Sequence, residues 1–167
     1  YKLKVYQLPM AGRASRGKPM VNLLPLEEGE RINAVLPIRE YAEDKYILMA
    51  TSQGTVKKTA LVEFANLKNK GIKAINLRDG DKLVDVALTN GDNDVMLFST
   101  TGKAIRFHEG DVTVVGRSAQ GVRGMRLEEG HEVNALIIVG EGELLIATEN
   151  GYGKRTRVDE FSAQGRG

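Results

Sequence analysis

The sequence repeats itself at intervals of about fifty residues, and this feature constrains the fold more strongly than any other. Three segments share a leucine, an acidic residue, a glycine and an alternating apolar run: 26-LEEGERINAVLPI-38, 77-LRDGDKLVDVALT-89 and 127-LEEGHEVNALIIV-139. Each is followed by two apolar runs around a turn, in 46-YILMATSQGTVKKT-59, 94-DVMLFSTTGKAIRF-107 and 143-ELLIATENGYGKRT-156. One unit of this size cannot bury both of its faces, so the pattern predicts a stack of similar units.

Each unit is predicted to consist of strands. The apolar runs are short, rich in β-branched and aliphatic residues, and bounded by Gly, Asn, Asp and Ser. The segments 52-SQG-54, 100-TTG-102 and 149-ENG-151 are predicted to be tight hairpin turns, and residues 60–68 allow one short helical turn at most. The sequence therefore predicts an all-β, propeller-like array of about three four-stranded blades.

The repeat also predicts the unit boundaries and part of the core. Residues 1–12 are predicted to end a preceding blade, 13–66, 67–116 and 117–162 to form one blade each, and 163–167 to begin a further blade. The core of the middle unit is predicted to contain Leu83, Val86, Leu88, Met96, Phe98 and Ile105.

Composition excludes several classes of function. The chain has no cysteine, which rules out disulfides, thiol chemistry and cysteine-ligated zinc. No apolar run approaches the length of a membrane span. The formal net charge is only +2, so the placement of the cations says more about partners than the total does.

No motif predicts catalysis by this segment alone. The pair Gly153-Lys154 fails as a phosphate loop, because Thr148 stands where that loop needs its first glycine and Arg155 where it needs Ser or Thr. His108 and His131 occupy non-equivalent positions of the repeat and have no partner at metal-ligand spacing. Paired carboxylates fall at turn corners rather than in a predicted cleft. We therefore expect no catalytic residue, no metal and no cofactor in this segment.

Basic residues, by contrast, follow the repeat. After each hairpin glycine the aligned residue is Lys58, Arg106 or Arg155. A second basic cluster surrounds a glycine that also recurs, at Gly17, Gly71 and Gly121. If equivalent residues of stacked units fall on one outer rim, their charges could follow the phosphates of a bent duplex. The predicted DNA-contacting residues are Arg16, Lys18, Lys57, Lys58, Lys70, Lys73, Lys103, Arg106, Arg123, Lys154 and Arg155.

Two other interpretations stay open on the residues alone. Lys and Arg are common on exposed strands, so the cations could simply be solvated, with acidic corners offsetting part of their charge. A propeller whose rim docks acidic proteins would show the same pattern. A propeller hydrolase is disfavoured, because no metal-binding or acid–base set recurs at the strand ends.

Long motifs also resemble a known family. These are 3-LKVYQLP-9, 16-RGKPMVNLLPLEEGERINAVLPI-38, 50-ATSQGTVKKT-59, 94-DVMLFSTTGKAIRF-107, 121-GVRGMRLEEG-130 and 147-ATENGYGKRT-156. Together they resemble the C-terminal domain of the DNA gyrase A subunit over essentially the whole chain. The equivalent domain of topoisomerase IV is the nearest rival.

The resemblance implies a β-pinwheel, a propeller variant whose blades exchange strands, with duplex DNA wrapped around its rim. It implies a non-catalytic part of an ATP-dependent type IIA topoisomerase that introduces negative supercoils. ATP and Mg²⁺ would belong to the holoenzyme, a cytoplasmic heterotetramer of the A and B subunits.

The family's seven-residue wrapping box, Q-R-R-G-G-K-G, is present only in degenerate form. In 68-KNKGIKA-74, Lys70, Gly71 and Lys73 match it; in 118-SAQGVRG-124, Gly121, Arg123 and Gly124 match it. In 14-ASRGKPM-20, Arg16 and Gly17 match, but Pro19 stands in the lysine position. The resemblance therefore implies rim contacts with DNA, but no supercoiling by this segment alone.

Overall fold

A computed structural model describes residues 1–67 and 70–167, over which the chain forms nine strands and five single-turn 3-10 helices. The strands are β1 Tyr46–Thr51, β2 Thr55–Ala60, β3 Leu83–Thr89, β4 Asp94–Ser99, β5 Ala104–His108, β6 Val122–Arg123, β7 Val133–Ile138, β8 Glu143–Ala147 and β9 Gly153–Arg157. The 3-10 helices are Val5–Gln7, Met20–Asn22, Leu61–Phe64, Glu109–Asp111 and Val158–Glu160. No helix in the described ranges is long and apolar enough to cross a bilayer. The predicted all-β class is confirmed.

Three antiparallel hairpins form the framework, and all three lie where the sequence predicts them. They pair β1 with β2, β4 with β5, and β8 with β9. Their turns contain Gly54, Gly102 and Gly151, with φ of 83°, 77° and 82°. This left-handed region is readily accessible only to glycine, which explains why a glycine recurs in each turn.

The sheets exchange strands between successive units. The first sheet has the order β3-β1-β2-β6, so its hairpin is flanked by strands from the two following units. The second has the order β5-β4-β7, and the third is the β8–β9 hairpin. The sheets therefore cross the predicted boundaries at 66/67 and 116/117. The strand exchange that the resemblance implies is present, but only the first sheet has four strands.

Residues 26–38 were expected to form a strand by analogy with β3 and β7, and they do not. The reason is the pairing rule of the repeat, in which β3 joins the hairpin that precedes it and β7 does the same. Residues 1–25 contain no hairpin, so the described residues offer this segment no preceding hairpin to join. Leu36 and Ile38 are instead partly buried against the cluster that contains Ile47.

The main core lies between the first two sheets. Leu48 and Val56 of the first hairpin pack against a cluster that contains Leu97 and Phe107 of the second, and all four are completely buried. A smaller cluster covers the opposite face of β1. Strands β1 and β2 are therefore buried on both faces.

The predicted core of the middle unit is partly correct. Met96 and Ile105 are buried, and Leu83, Val86 and Phe98 are half-buried. Leu88 is 39% exposed, because β3 is an edge strand of the first sheet.

Candidate nucleic-acid interface

The recurring cation of each unit contacts the first residue of its own hairpin. Arg106 forms an ion pair with Asp94, with Nη2 at 2.7 Å from Oδ2. Arg155 pairs in the same way with Glu143, Nε to Oε2 at 2.7 Å. In the first unit a tyrosine, Tyr46, occupies this position, and the Lys58 ammonium lies 5.1 Å from the centre of its ring. The two positions are diagonal neighbours on one face of the hairpin, which brings the side chains together.

Two of these cations also reach the next unit. Lys58 Nζ donates a hydrogen bond of 2.8 Å to the backbone carbonyl of Glu109. Arg106 Nη1 donates to the carbonyls of Val158, at 3.0 Å, and Phe161, at 3.1 Å. Glu109 and Val158 are equivalent, since each begins the 3-10 helix that follows a hairpin. The contact is therefore part of the repeat.

The Glu109 carboxylate is completely buried beside Lys58. Its Oε2 lies 3.6 Å from Lys58 Nζ and accepts a 2.7 Å hydrogen bond from the Thr89 hydroxyl. Its Oε1 accepts a 2.9 Å bond from the Asn93 backbone N–H. Lys58 itself is only 5% exposed. A buried charge needs such partners, and this pair is satisfied within the protein.

Lys57 points to the opposite face of β2 and is completely buried. Its ammonium donates to the carbonyls of Ala74, at 2.6 Å, and Arg117. Burial lowers the pKa of Lys57 to about 8, an effect that nearby Arg117 reinforces and Glu63 opposes. Lys57 therefore ties together two chain segments that belong to different units of the sequence repeat.

The structure corrects part of the predicted rim. Lys57, Lys58 and Arg106 were expected to present their charges along an outer edge, but Lys57 and Lys58 are buried and the Arg106 side chain is only 20% exposed. Consecutive strand residues point to opposite faces, and both faces of β2 are covered. These three cations stabilise contacts within and between units instead of lying open to a phosphate.

The other predicted contacts are exposed. They are Arg16, Lys18, Lys70, Lys73, Lys103, Arg123, Lys154 and Arg155. Lys103 forms an ion pair with Glu128, whose pKa is lowered by the ammonium. Arg123 Nε donates to the Gly167 carbonyl at 2.9 Å. Within residues 1–67 and 70–167, the side chains of Arg16, Lys18, Lys70 and Lys154 make no hydrogen bond or ion pair. Of the box-like segment 68–74, Lys68 and Asn69 lie outside the described residues.

A shallow groove of about 420 Å³ lies between the box-like segments 68–74 and 118–124. Lys73 and Arg117 both line it, together with Ser118 and with Glu63, whose Oε2 lies 3.8 Å from Arg117 Nε. The segments are held side by side by the Lys57 ammonium and by a 3.2 Å hydrogen bond from the Asn76 N–H to the Ala119 carbonyl. Arg117 was not among the residues predicted to contact DNA. The repeat gives only a partial signal for it, because the equivalent position holds Arg13 in the first copy but Leu67 in the middle copy.

The histidines make only local contacts. His108 Nε2 lies 3.1 Å from Asp92, and its Nδ1 accepts a hydrogen bond from the Gly110 N–H. His131 Nδ1 lies 3.4 Å from the Thr100 hydroxyl. Among the described residues, no three His, Asp or Glu side chains are close enough to hold a metal ion.

Comparison with known proteins places this architecture in a family. The family model described as the DNA gyrase C-terminal domain, a beta-propeller, matches residues 1–39, 45–90, 93–140 and 142–167. The chain belongs to this family. Two of the matched segments begin just before a hairpin and end just after the strand that pairs with it, so the DNA gyrase repeat corresponds to the observed sheets.

Relatives and solved structures agree with the family. The chain is 56% identical to the A subunit of DNA gyrase from Salmonella typhimurium and 54% identical to that from Escherichia coli, over 99% of this chain in both cases. It spans 19% of the length of these curated relatives. Its fold matches the C-terminal domain of DNA topoisomerase IV, with TM-score 0.88, 32% identity and coverage of 97% of this chain and 51% of the other. It also matches the DNA gyrase A C-terminal domain, with TM-score 0.81, 30% identity and coverage of 90% and 50%.

Proposed function

We propose that the chain is a non-catalytic module that binds duplex DNA and bends it around a discontinuous basic surface, as the wrapping domain of a DNA gyrase A subunit. Membership of the DNA gyrase C-terminal domain family carries the proposal. The high identity to the A subunit of DNA gyrase favours this assignment over topoisomerase IV. The whole protein would act with the B subunit in a cytoplasmic heterotetramer that supercoils DNA with ATP and Mg²⁺ bound elsewhere.

The groove between the box-like segments is the proposed central contact. Lys73 and Arg117 line it from two different units, and Lys70 and Arg123 are exposed on the segments that form it. Cations from successive units beside one groove suit a phosphate backbone that passes from unit to unit. Such contacts position the duplex without reading its sequence. Binding should therefore depend on salt and tolerate any sequence.

The salt dependence of duplex binding tests this proposal. Each phosphate contact adds about 0.9 to the magnitude of the slope of log affinity against log salt. The Lys73→Gln/Arg117→Gln variant should therefore bind more weakly, with a slope shallower by about 1.8 if each cation neutralises one phosphate. The measurement is a fluorescence anisotropy titration of a random-sequence duplex at several salt concentrations.

Lys82→Gln provides the matched control. Lys82 is an exposed lysine next to Asp81, at an acidic turn that does not line the groove, and its loss should leave the slope unchanged. A wild-type chain that binds no duplex at low salt would refute the function. A wild-type chain that binds, with the same slope in the groove variant, would show that the phosphates contact another surface.

A further inference from the structure

The two recurring cations that are not exposed on the predicted rim, Lys58 and Arg106, make equivalent contacts with the unit that follows each of them. We propose that Lys58 and Arg106 are positioning residues, each of which clamps its own unit to the next at a fixed angle. We call the contacts of Lys58 with residues 109–115 the first clamp, and those of Arg106 with residues 158–164 the second clamp. The clamps are a property of the fold; their consequence for DNA rests on the proposed function.

In the first clamp, a single residue attaches to the next unit at two points. The side chain of Lys58 donates to the carbonyl of Glu109 at 2.8 Å. The backbone carbonyl of Lys58 accepts a 2.9 Å hydrogen bond from the Val115 N–H, where an isolated parallel bridge joins Lys58 to Val114. The shared core and the pairing of β1 with β3 also join the two units, and the two separate attachments of Lys58 add to them by fixing the orientation of β2 against residues 109–115.

The second clamp repeats this geometry one unit later. The Arg106 side chain donates to the carbonyls of Val158 and Phe161. Its backbone carbonyl accepts a 2.9 Å bond from the Gln164 N–H, and an isolated parallel bridge joins Arg106 to Ala163. Two different side chains at equivalent positions thus reach the residue that begins the next 3-10 helix, and their backbone carbonyls accept equivalent hydrogen bonds. A lysine and an arginine share this role because both are long cations that can donate to a backbone carbonyl.

The third cation of the series is a natural comparison. Arg155 keeps the contact with its own hairpin, at Glu143, but its side chain is 72% exposed. Within residues 1–67 and 70–167 it makes no contact of the clamp type. Within residues 70–167 no 3-10 helix follows Val158–Glu160, so Arg155 has no equivalent carbonyl to contact and serves as the unclamped comparison.

The clamps matter for DNA because a duplex is stiff. Bending 20–30 base pairs costs on the order of 1–6 kcal/mol, which contacts from several units must offset together. A loosened joint would let the basic segments follow a straighter duplex without losing any phosphate contact. Loss of a clamp should therefore reduce bending while leaving the salt slope unchanged.

Spin-label distances test the clamps without DNA. The chain has no cysteine, so spin labels can be placed in pairs at exposed, equivalent positions before the three hairpins. One double variant carries Asp44→Cys and Asp92→Cys, and the other carries Asp92→Cys and Glu141→Cys. In the full 167-residue chain, Lys58→Met should replace the narrow 44–92 distance peak with a broad distribution and leave 92–141 narrow. Arg106→Met should broaden the 92–141 distance distribution and leave the 44–92 distribution narrow.

Further variants distinguish the loss of a clamp from misfolding of the whole chain. Lys58→Arg should restore the narrow 44–92 peak, because an arginine makes the equivalent contact in the second unit. Lys58→Gln keeps a polar side chain that is too short to reach the carbonyl, and it replaces Lys58→Met if that variant does not fold. Arg155→Met should leave both distances unchanged. Unchanged distances in every variant, or broadening of both distances by either single variant, would overturn the proposal.

A second experiment measures DNA bending by fluorescence energy transfer between dyes at the two ends of a duplex. Lys58→Met should lower the transfer in the bound state without altering the salt slope, whereas Arg155→Met should make the slope shallower by about 0.9 if that exposed cation neutralises one phosphate. A fall of about 0.9 for Lys58→Met would identify Lys58 as a phosphate contact and overturn its role as a clamp. If the wild-type chain binds no duplex, the proposed function fails, and the label distances still decide whether the clamps exist.

Discussion

The buried ammonium of Lys57 predicts an unusual dependence of stability on pH. Its pKa is lowered from 10.5 to about 8, mainly by burial. The folded state therefore releases this proton at a lower pH than the unfolded state does. Below pH 8 the folded protein holds the charge at an energetic cost, and the cost is relieved as pH rises from 8 towards 10.5. The contribution of Lys57 to stability should thus increase in alkali.

The size of the effect follows from the shift. One pKa unit corresponds to about 1.36 kcal/mol, so a lysine with these two pKa values carries a cost of about 3 kcal/mol when fully protonated. Linkage gives a gain of about 2.5 kcal/mol between about pH 7 and pH 10, since the group is nearly fully deprotonated in the folded state but mostly protonated in the unfolded state at the higher pH. The neutral amine can still donate to the carbonyls of Ala74 and Arg117.

The assay compares wild type with Lys57→Met by urea unfolding, followed by circular dichroism because the chain has no tryptophan. Other groups that titrate near pH 10 contribute equally to both proteins and cancel in the difference. The free energy of unfolding of wild type minus that of the variant should rise by about 2.5 kcal/mol from pH 7 to pH 10. A difference that stays flat would refute the reasoning, because it would mean that Lys57 titrates normally in the folded protein.

Two further predictions concern single contacts and are measured by the same unfolding assay. Glu109→Ala should destabilise the fold by about 3–5 kcal/mol, because it leaves the Lys58 ammonium buried without its carboxylate, and adding Lys58→Met should recover part of that loss. If the two losses simply add, the pair is not coupled. Gly102→Ala should cost about 1–2 kcal/mol for its left-handed backbone alone, since open space surrounds its Cβ position. Gly54→Ala should cost clearly more, because its Cβ would lie 2.5 Å from the Met125 carbonyl oxygen; equal losses at the two turns would contradict the close packing.

The sequence predicted the hairpins because their signals are local. Alternating apolar runs and a glycine with positive φ lie within about fourteen residues of each other in every unit. Which hairpin each outer strand joins is not a local property. The exchange of strands was implied by the resemblance to the family and not by any residue pattern, and among the described residues it gives 26–38 no hairpin to join.

The direction in which the basic side chains point was harder to predict. Lys57 and Lys58 lie in 55-TVKKTA-60, which reads as a polar strand with at least one solvated face, yet the next units cover both faces. A signal for the Lys58 contact was present in the alignment of the repeats. Glu109 stands where the other units have Leu61 and Val158, and a carboxylate at an apolar position calls for a buried cation. For Arg117 the repeat gave a partial signal, since Arg13 is its equivalent in the first copy, but the groove that it lines forms only when two units pack together.

The exchange of strands also sets an order for folding during synthesis on the ribosome. The hairpin that ends at Ala60 gains its outer strand β3 only after Thr89 has been made, and its last strand β6 only after Arg123. At a synthesis rate of roughly 5–20 residues per second, several seconds pass before both edges are paired. Both β1 and β2 are open at first, and β2 stays open after β3 has joined β1. Apolar side chains that are buried in the folded protein are uncovered during that interval. A ribosomal pause between residues 60 and 123 would therefore lengthen the time in which two nascent chains could pair through these unpaired strand edges.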